Sequence, residues 1–174
     1  MTPAALCAML PRLAALPMMG EPVDQLAHAM QTAQLAIADG ADDALVVAAA
    51  LHDVARLPEV SALHRGLPHE TAAARFCGEL LGARVGWLVG AHVLAKRVLV
   101  VTDPAYAGGL SGASTSSLAL QGGAACGAEV ERFTAHCWAG DALRLRRWDD
   151  LAKVPGAAAP RPSDLLDRIA RLWR

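Results

Sequence analysis

Aromatic residues are scarce in this 174-residue chain: one Tyr, two Phe and four Trp make up 4% of it. A sheet protein of this length draws on Val, Ile, Tyr and Phe to cover its pleated faces. Here Ala and Leu supply most of the 54% hydrophobic content, and both favour helices. Paired cysteines are also missing. Cys7, Cys77, Cys126 and Cys137 form no CxxC unit, which argues against a structural zinc site or a disulfide framework and fits a reducing cytoplasm. An excess of positive charge is absent too, because the formal net charge is −1, so no nucleic-acid partner is expected. The apolar N-terminus lacks the basic start of a signal peptide, and Pro11 and Arg12 interrupt it, so it reads as a first helix. No uncharged stretch is long enough to cross a bilayer, so no membrane partner is expected either. These absences leave a cytoplasmic, all-α protein, with residues 1–174 as one domain.

What is present is a succession of helical patterns. Val23, Leu26, Ala27, Met30, Ala33 and Ile37 recur at helical spacing over about 22–38, and Gly40 ends the run. A third helix, capped by Asp42 or Asp43, is apolar on nearly all sides from Ala44 to Leu51, as befits a buried element. A fourth starts near Pro68 and stops at Gly82. A fifth runs from Ala83 to about Val101. The Gly- and Ser-rich segment 108–123 has room for a short helix over 114–120. Another begins at Glu129, followed by the segment GDALRLRRWDDLAK. A Pro/Ala linker then precedes an amphipathic C-terminal helix, 163–174, capped by Ser163 or Asp164.

Chemistry concentrates in the histidines. His52-Asp53 ends the buried third helix, where an imidazole and a carboxylate are costly unless paired or bound to a metal. Asp53 has two oxygens and can bridge two ions. Alone, the dipeptide is as compatible with an ordinary helix end, and His28 or His92 alone with a hydrogen-bonded helix histidine. His28, His52, His69 and His92 on successive helices change that balance. Imidazole and carboxylate without thiolate suit iron, manganese or zinc. Spacing leaves a late carboxylate open among Asp103, Asp141, Asp149 and Asp150. Lys96 lies one turn after His92 and shares its direction. Arg146 precedes Asp149 by three residues, and Ser114 and Ser117 add hydroxyls. Gln31 and Gln121 are weaker candidates, and neither His64 nor His136 has an assignable role.

The order His28, His52-Asp53, His69, His92 and a late Asp resembles the HD-domain superfamily of helical metal-dependent enzymes. The phrases GEPVDQLAHAMQ, LHDVA, LSGASTSSLALQGG and LRLRRWDDLAK resemble its organophosphonate-degrading, diiron oxygenase branch over about residues 20–155. The resemblance implies an HD-domain helical bundle and two iron ions, mixed-valent Fe(II)/Fe(III), with O2 as co-substrate. It selects Asp149, four residues before Lys153, as the sixth ligand. His28, His52, Asp53 and Asp149 would then hold one iron, and Asp53, His69 and His92 the other. Asp53 and Lys96 would carry catalysis.

The implied reaction cleaves the C–P bond of a small anionic 1-hydroxyphosphonate such as 2-amino-1-hydroxyethylphosphonate, releasing phosphate and a carboxylic acid. Lys96, Ser114, Ser117 and Arg146 would grip the phosphonate, and Glu21 would meet the substrate's amino end. Two positions depart from the family pattern: Met18 stands where a tyrosine is common, and Arg56 where a second histidine often helps hold substrate. A metal-dependent phosphohydrolase acting on a phosphate ester is the rival reading, and the oligomeric expectation is a monomer or homodimer.

Overall fold

The computed structural model describes residues 1–174, and they form helices with no strand. Helix α1 (Pro3–Met9) tightens into a 3-10 segment at Leu10–Ala15, where Pro11 removes a backbone donor. Helix α2 (Gln25–Ala38) starts later than the sequence pattern predicts, because Asp24 rather than Pro22 caps it; its carboxylate accepts the Ala27 amide at 2.7 Å. Helix α3 (Asp43–Leu51) is capped by Asp42, and every residue from Ala44 to Leu51 is buried.

A 3-10 turn at Val54–Arg56 leads into α4 (Pro58–Leu63), a short helix too brief to show periodicity. Then come α5 (His69–Leu81) and α6 (Ala83–Thr102). Helix α7 (Pro104–Gly108) and α8 (Gly112–Leu120) follow, then α9 (Gly127–Thr134) and α10 (Ala139–Leu151). The last segment opens as a 3-10 turn, Pro162–Leu165, before α11 (Leu166–Leu172). There Asp164 accepts the Arg161 amide at 2.9 Å, so it acts from inside the first turn and Ser163 caps nothing.

Helix α6 is the axis of the molecule, packed by α5, α10 and α3, with α2 lying across α3 and α10. By length and composition α6 could cross a bilayer. The polar His92 and Lys96 interrupt it, and most of it is enclosed by neighbouring helices. The seam between α5 and α6 is lined with small residues. A methyl group on Gly86 would lie 2.7 Å from the Gly78 Cα, and one on Gly90 2.9 Å from the Ala74 Cβ. The C-terminal helix does not stand apart beyond its Pro/Ala linker. Leu165 and Ile169 are fully buried in the common core, and α11 rests on α1 and α3. Arg168 and Arg171 both reach Asp43 at the head of α3.

Candidate metal centre

Four helices and one helix end converge on a buried polar cluster at the centre of the bundle. The α-helix of α3 stops at Leu51, so His52 and Asp53 sit in the change from α-helix to 3-10 turn. That change of pitch lets two adjacent side chains face one centre. His28 comes from the middle of α2, His69 from the first residue of α5, His92 from mid-α6 and Asp149 from α10. All are buried except His69, which is partly open to a cavity.

The histidine rings are oriented from behind. Nδ1 of His28 faces the Ala152 carbonyl at 2.9 Å, that of His52 the Ala49 carbonyl at 2.8 Å, and that of His92 the Val89 carbonyl at 2.6 Å. Nδ1 of His69 faces the Glu70 carboxylate at 3.1 Å, and Arg56 donates to its Nε2 at 3.2 Å. Each acceptor holds a proton on Nδ1 and leaves the Nε2 lone pair turned inward, the arrangement that metal-binding imidazoles need. Nε2 of His28 and of His52 lie 3.1 Å apart, lone pair towards lone pair, which is favourable only with a cation beside them.

The carboxylates complete the set. Asp149 Oδ1 lies 3.2 Å from His28 Nε2, and its Oδ2 3.7 Å from His52 Nε2. Asp53 Oδ1 is 3.2 Å from His69 Nε2 and 3.9 Å from His92 Nε2. That oxygen is buried and accepts no hydrogen bond, an expensive state for a carboxylate without a cation. Two groups have metal-ligand spacing, His28–His52–Asp53 and Asp53–His69–His92, and Asp53 belongs to both. Nitrogen and carboxylate oxygen without thiolate fit hard or borderline divalent and trivalent ions such as iron.

Electrostatics agrees with that fit. Burial opposes the charge on Asp53, but the His69 contact and the nearby His52 and Arg56 charges outweigh it and hold its carboxyl well below the usual range. Asp149 behaves likewise: burial is outweighed by Arg146, His52 and His28. Burial, reinforced by the neighbouring His52 charge, pulls His92 down to about 3, so it is a neutral donor at any ordinary pH. Burial opposes a proton on His28, yet Asp149 raises its pKa, so proton and metal compete there.

Beside the cluster lies a cavity of about 470 Å³, whose walls include Asp53, His69, His92 and Asp149. Lys96 is buried and donates to Ser117 Oγ at 2.6 Å. Burial, then the Arg146 charge, lower its pKa to about 8. Arg146 is more committed than its sequence position suggests. Nη1 meets Asp149 at 2.6 Å, while Nε and Nη2 grip Asp150. Two of its five N–H donors are left for a ligand. Arg56, at the cavity mouth, lies 3.5 Å from Asp53 Oδ1.

Helix α8 lies over this cavity and buries only Ser114, so polar ties hold it in place. Ser114 Oγ donates to Asp150 at 3.0 Å and accepts from Lys153 at 2.8 Å. Glu21 Oε1 accepts from Ser111, the cap of α8, at 2.6 Å and from Lys153 at 2.8 Å. Glu21 lines the cavity as its sequence position suggests, but its carboxylate already has a cationic partner. Gln31 lies elsewhere: its amide clasps the backbone of Val154 at 2.8 and 3.0 Å, holding the segment after α10 against α2. Gln121 lines the cavity.

Sequence reasoning missed Gln25, the grip of Asp150 on Arg146 and the ion pair made by Lys153. The i,i+4 spacing of Arg146 and Asp150 was a usable signal for one of them. The partnership of Lys153 with Glu21 joins residues 132 positions apart and leaves no local trace. Of the residues without an assigned role, His136 stacks on Trp87 with ring centroids 3.8 Å apart, and His64 ends α4.

Fold and site together define an all-helical protein with a His/Asp cluster suited to metal ions beside a cationic cavity. No family model matches the chain. It is 38% identical over 146 residues to a hydroxymethylphosphonate dioxygenase of Gimesia maris, covering 80% of this chain and 73% of that protein. It is 31% identical over 147 residues to a glycine-betaine-forming [1-hydroxy-2-(trimethylamino)ethyl]phosphonate dioxygenase of Leisingera caerulea, covering 82% and 75%. The chain belongs to the phosphonate dioxygenase family and is an oxygenase.

Proposed function

We propose that residues 1–174 form one catalytic HD-domain unit, a diiron oxygenase acting in the cytoplasm. It uses O2 to cleave the C–P bond of a small 1-hydroxyphosphonate. The observation that carries this reading is Asp53, a buried carboxylate shared by two ligand groups and bordering a cationic cavity. His28, His52, Asp53 and Asp149 would hold one iron, and Asp53, His69 and His92 the second. When bound, a mixed-valent iron pair would supply the one-electron chemistry through which O2 attacks a C–H bond. The reaction balances without an added reductant: a 1-hydroxyphosphonate and one O2 give a carboxylic acid and phosphate.

The protein's own groups have defined tasks. Lys96 and the free donors of Arg146 neutralise the phosphonate and orient it, and Ser117 is drawn to the same place by Lys96. Arg56 sits at the mouth, where its guanidinium can meet an anion as it enters. Arg146 also fixes the rotamer of Asp149, and Asp150 fixes Arg146. Leu16, Pro17 and Met18 form an apolar wall that limits water in the cavity.

The family relatives favour oxygenation over the hydrolysis of a phosphate ester. Iron-loaded protein is expected to release phosphate from hydroxymethylphosphonate in air and to stop when O2 is removed. Phosphate release that continues without O2 would overturn the oxygenase reading.

A further inference from the structure

Resting on that reading, we propose that the Glu21–Lys153 ion pair, with the Gln25 carboxamide, makes its own part of the cavity wall electrically neutral and selects substrates whose C1 substituent carries no charge. Glu21 and Lys153 both line the cavity, and their side chains are only 8% and 10% exposed. The carboxylate is satisfied from two sides, by the Lys153 ammonium and by the Ser111 hydroxyl. A substrate ammonium would have to displace Lys153 from Glu21 and leave that lysine, in a mostly buried position, only the more distant Asp150 carboxylate that Arg146 already engages. The lysine has little freedom to withdraw, since Ser114 Oγ holds it at 2.8 Å and Asp150 lies 3.8 Å away.

Gln25 supplies the second, independent observation. It opens α2, one turn before His28, and lines the same cavity while only 7% exposed. Its Oε1 is buried with no hydrogen-bond partner. An unpaired buried amide oxygen is costly and is relieved by a hydrogen-bond donor, which an uncharged group can supply with no charge left to offset. A carboxamide does not offset the cost of bringing in an ammonium as a free carboxylate would. Met18 and Leu120 extend the wall with apolar surface. The occupant that fits is therefore a hydroxyphosphonate bearing hydrogen or a small neutral group at C1, and cationic substituents are disfavoured.

The test is anaerobic binding calorimetry on iron-loaded protein, with hydroxymethylphosphonate and 2-amino-1-hydroxyethylphosphonate as the two ligands. Hydroxymethylphosphonate, which carries no charge beyond its phosphonate, is expected to bind at least tenfold more tightly. In Lys153→Met, which frees Glu21, the ratio of the two Kd values should move at least tenfold towards the ammonium ligand. Tighter binding of the ammonium ligand by the unaltered protein would overturn the proposal, as would an unchanged ratio in a folded Lys153→Met. If that variant fails to fold, the ranking in the unaltered protein decides. Because binding is read without O2, an absence of phosphate release in air would count against the oxygenase reading alone.

Discussion

Asp53 is asked to do more than any other residue here, and its position explains why. It is the one carboxylate common to both ligand groups, and the oxygen it turns towards His69 and His92 has no hydrogen-bond donor. Removing it should affect two ions, whereas removing a terminal imidazole should affect one. Elemental analysis after iron loading is expected to give about one equivalent for His69→Ala and close to none for Asp53→Ala, since ligand loss and metal loss are linked. Two equivalents in Asp53→Ala would refute the shared-ligand arrangement.

Lys96 offers a prediction of a different kind. Its pKa is lowered to about 8 by burial and by Arg146. The ammonium proposed to neutralise a phosphonate is present below that value and lost above it. The ratio kcat/KM for a phosphonate should accordingly fall as pH rises through about 8, because that ratio reports the free enzyme. Lys96→Arg, which cannot lose its proton in this range, should remove that limb. A flat profile to pH 10 in the unaltered protein would rule out the assignment.

At the scale of elements, the site depends on where helices end and how closely they approach. Because α3 gives way to a 3-10 turn after Leu51, adjacent residues His52 and Asp53 both turn inward. The small-residue seam between α5 and α6 brings His69 and His92 to 5.4 Å between ring centroids. A methyl group on Gly86 would also lie 2.8 Å from the Ala74 carbonyl oxygen, and both obstacles at that position are backbone. Gly86→Ala should therefore push the two helices apart and destabilise the fold by about 1–3 kcal/mol, the usual range for overpacking. A thermal melt reads this as a lower Tm, and an unchanged Tm would show that the seam has slack. Helix α8 is the opposite case. It has almost no buried apolar surface, and its place over the cavity is set by Glu21, Lys96, Lys153 and Asp150.

For the whole molecule, much was legible in the sequence because helical periodicity and caps are local. The buried character of α3, the breaks at Gly40 and Gly82, and the order of the histidines all follow from neighbouring residues. Short helices such as α4 and α7 left no periodic trace, and α2 begins at its cap rather than at its proline. The sequence alone determined that the chain is helical, that its histidines recur on successive helices, and that it resembles phosphonate oxygenases. Only the tertiary structure decided the charge state of the cavity wall: Glu21, exposed to any reading in isolation, is neutralised by a lysine 132 residues away. Local pattern reports how a segment presents its own residues to the core. Which charges cancel depends on contacts between distant segments, and those form only when the bundle closes.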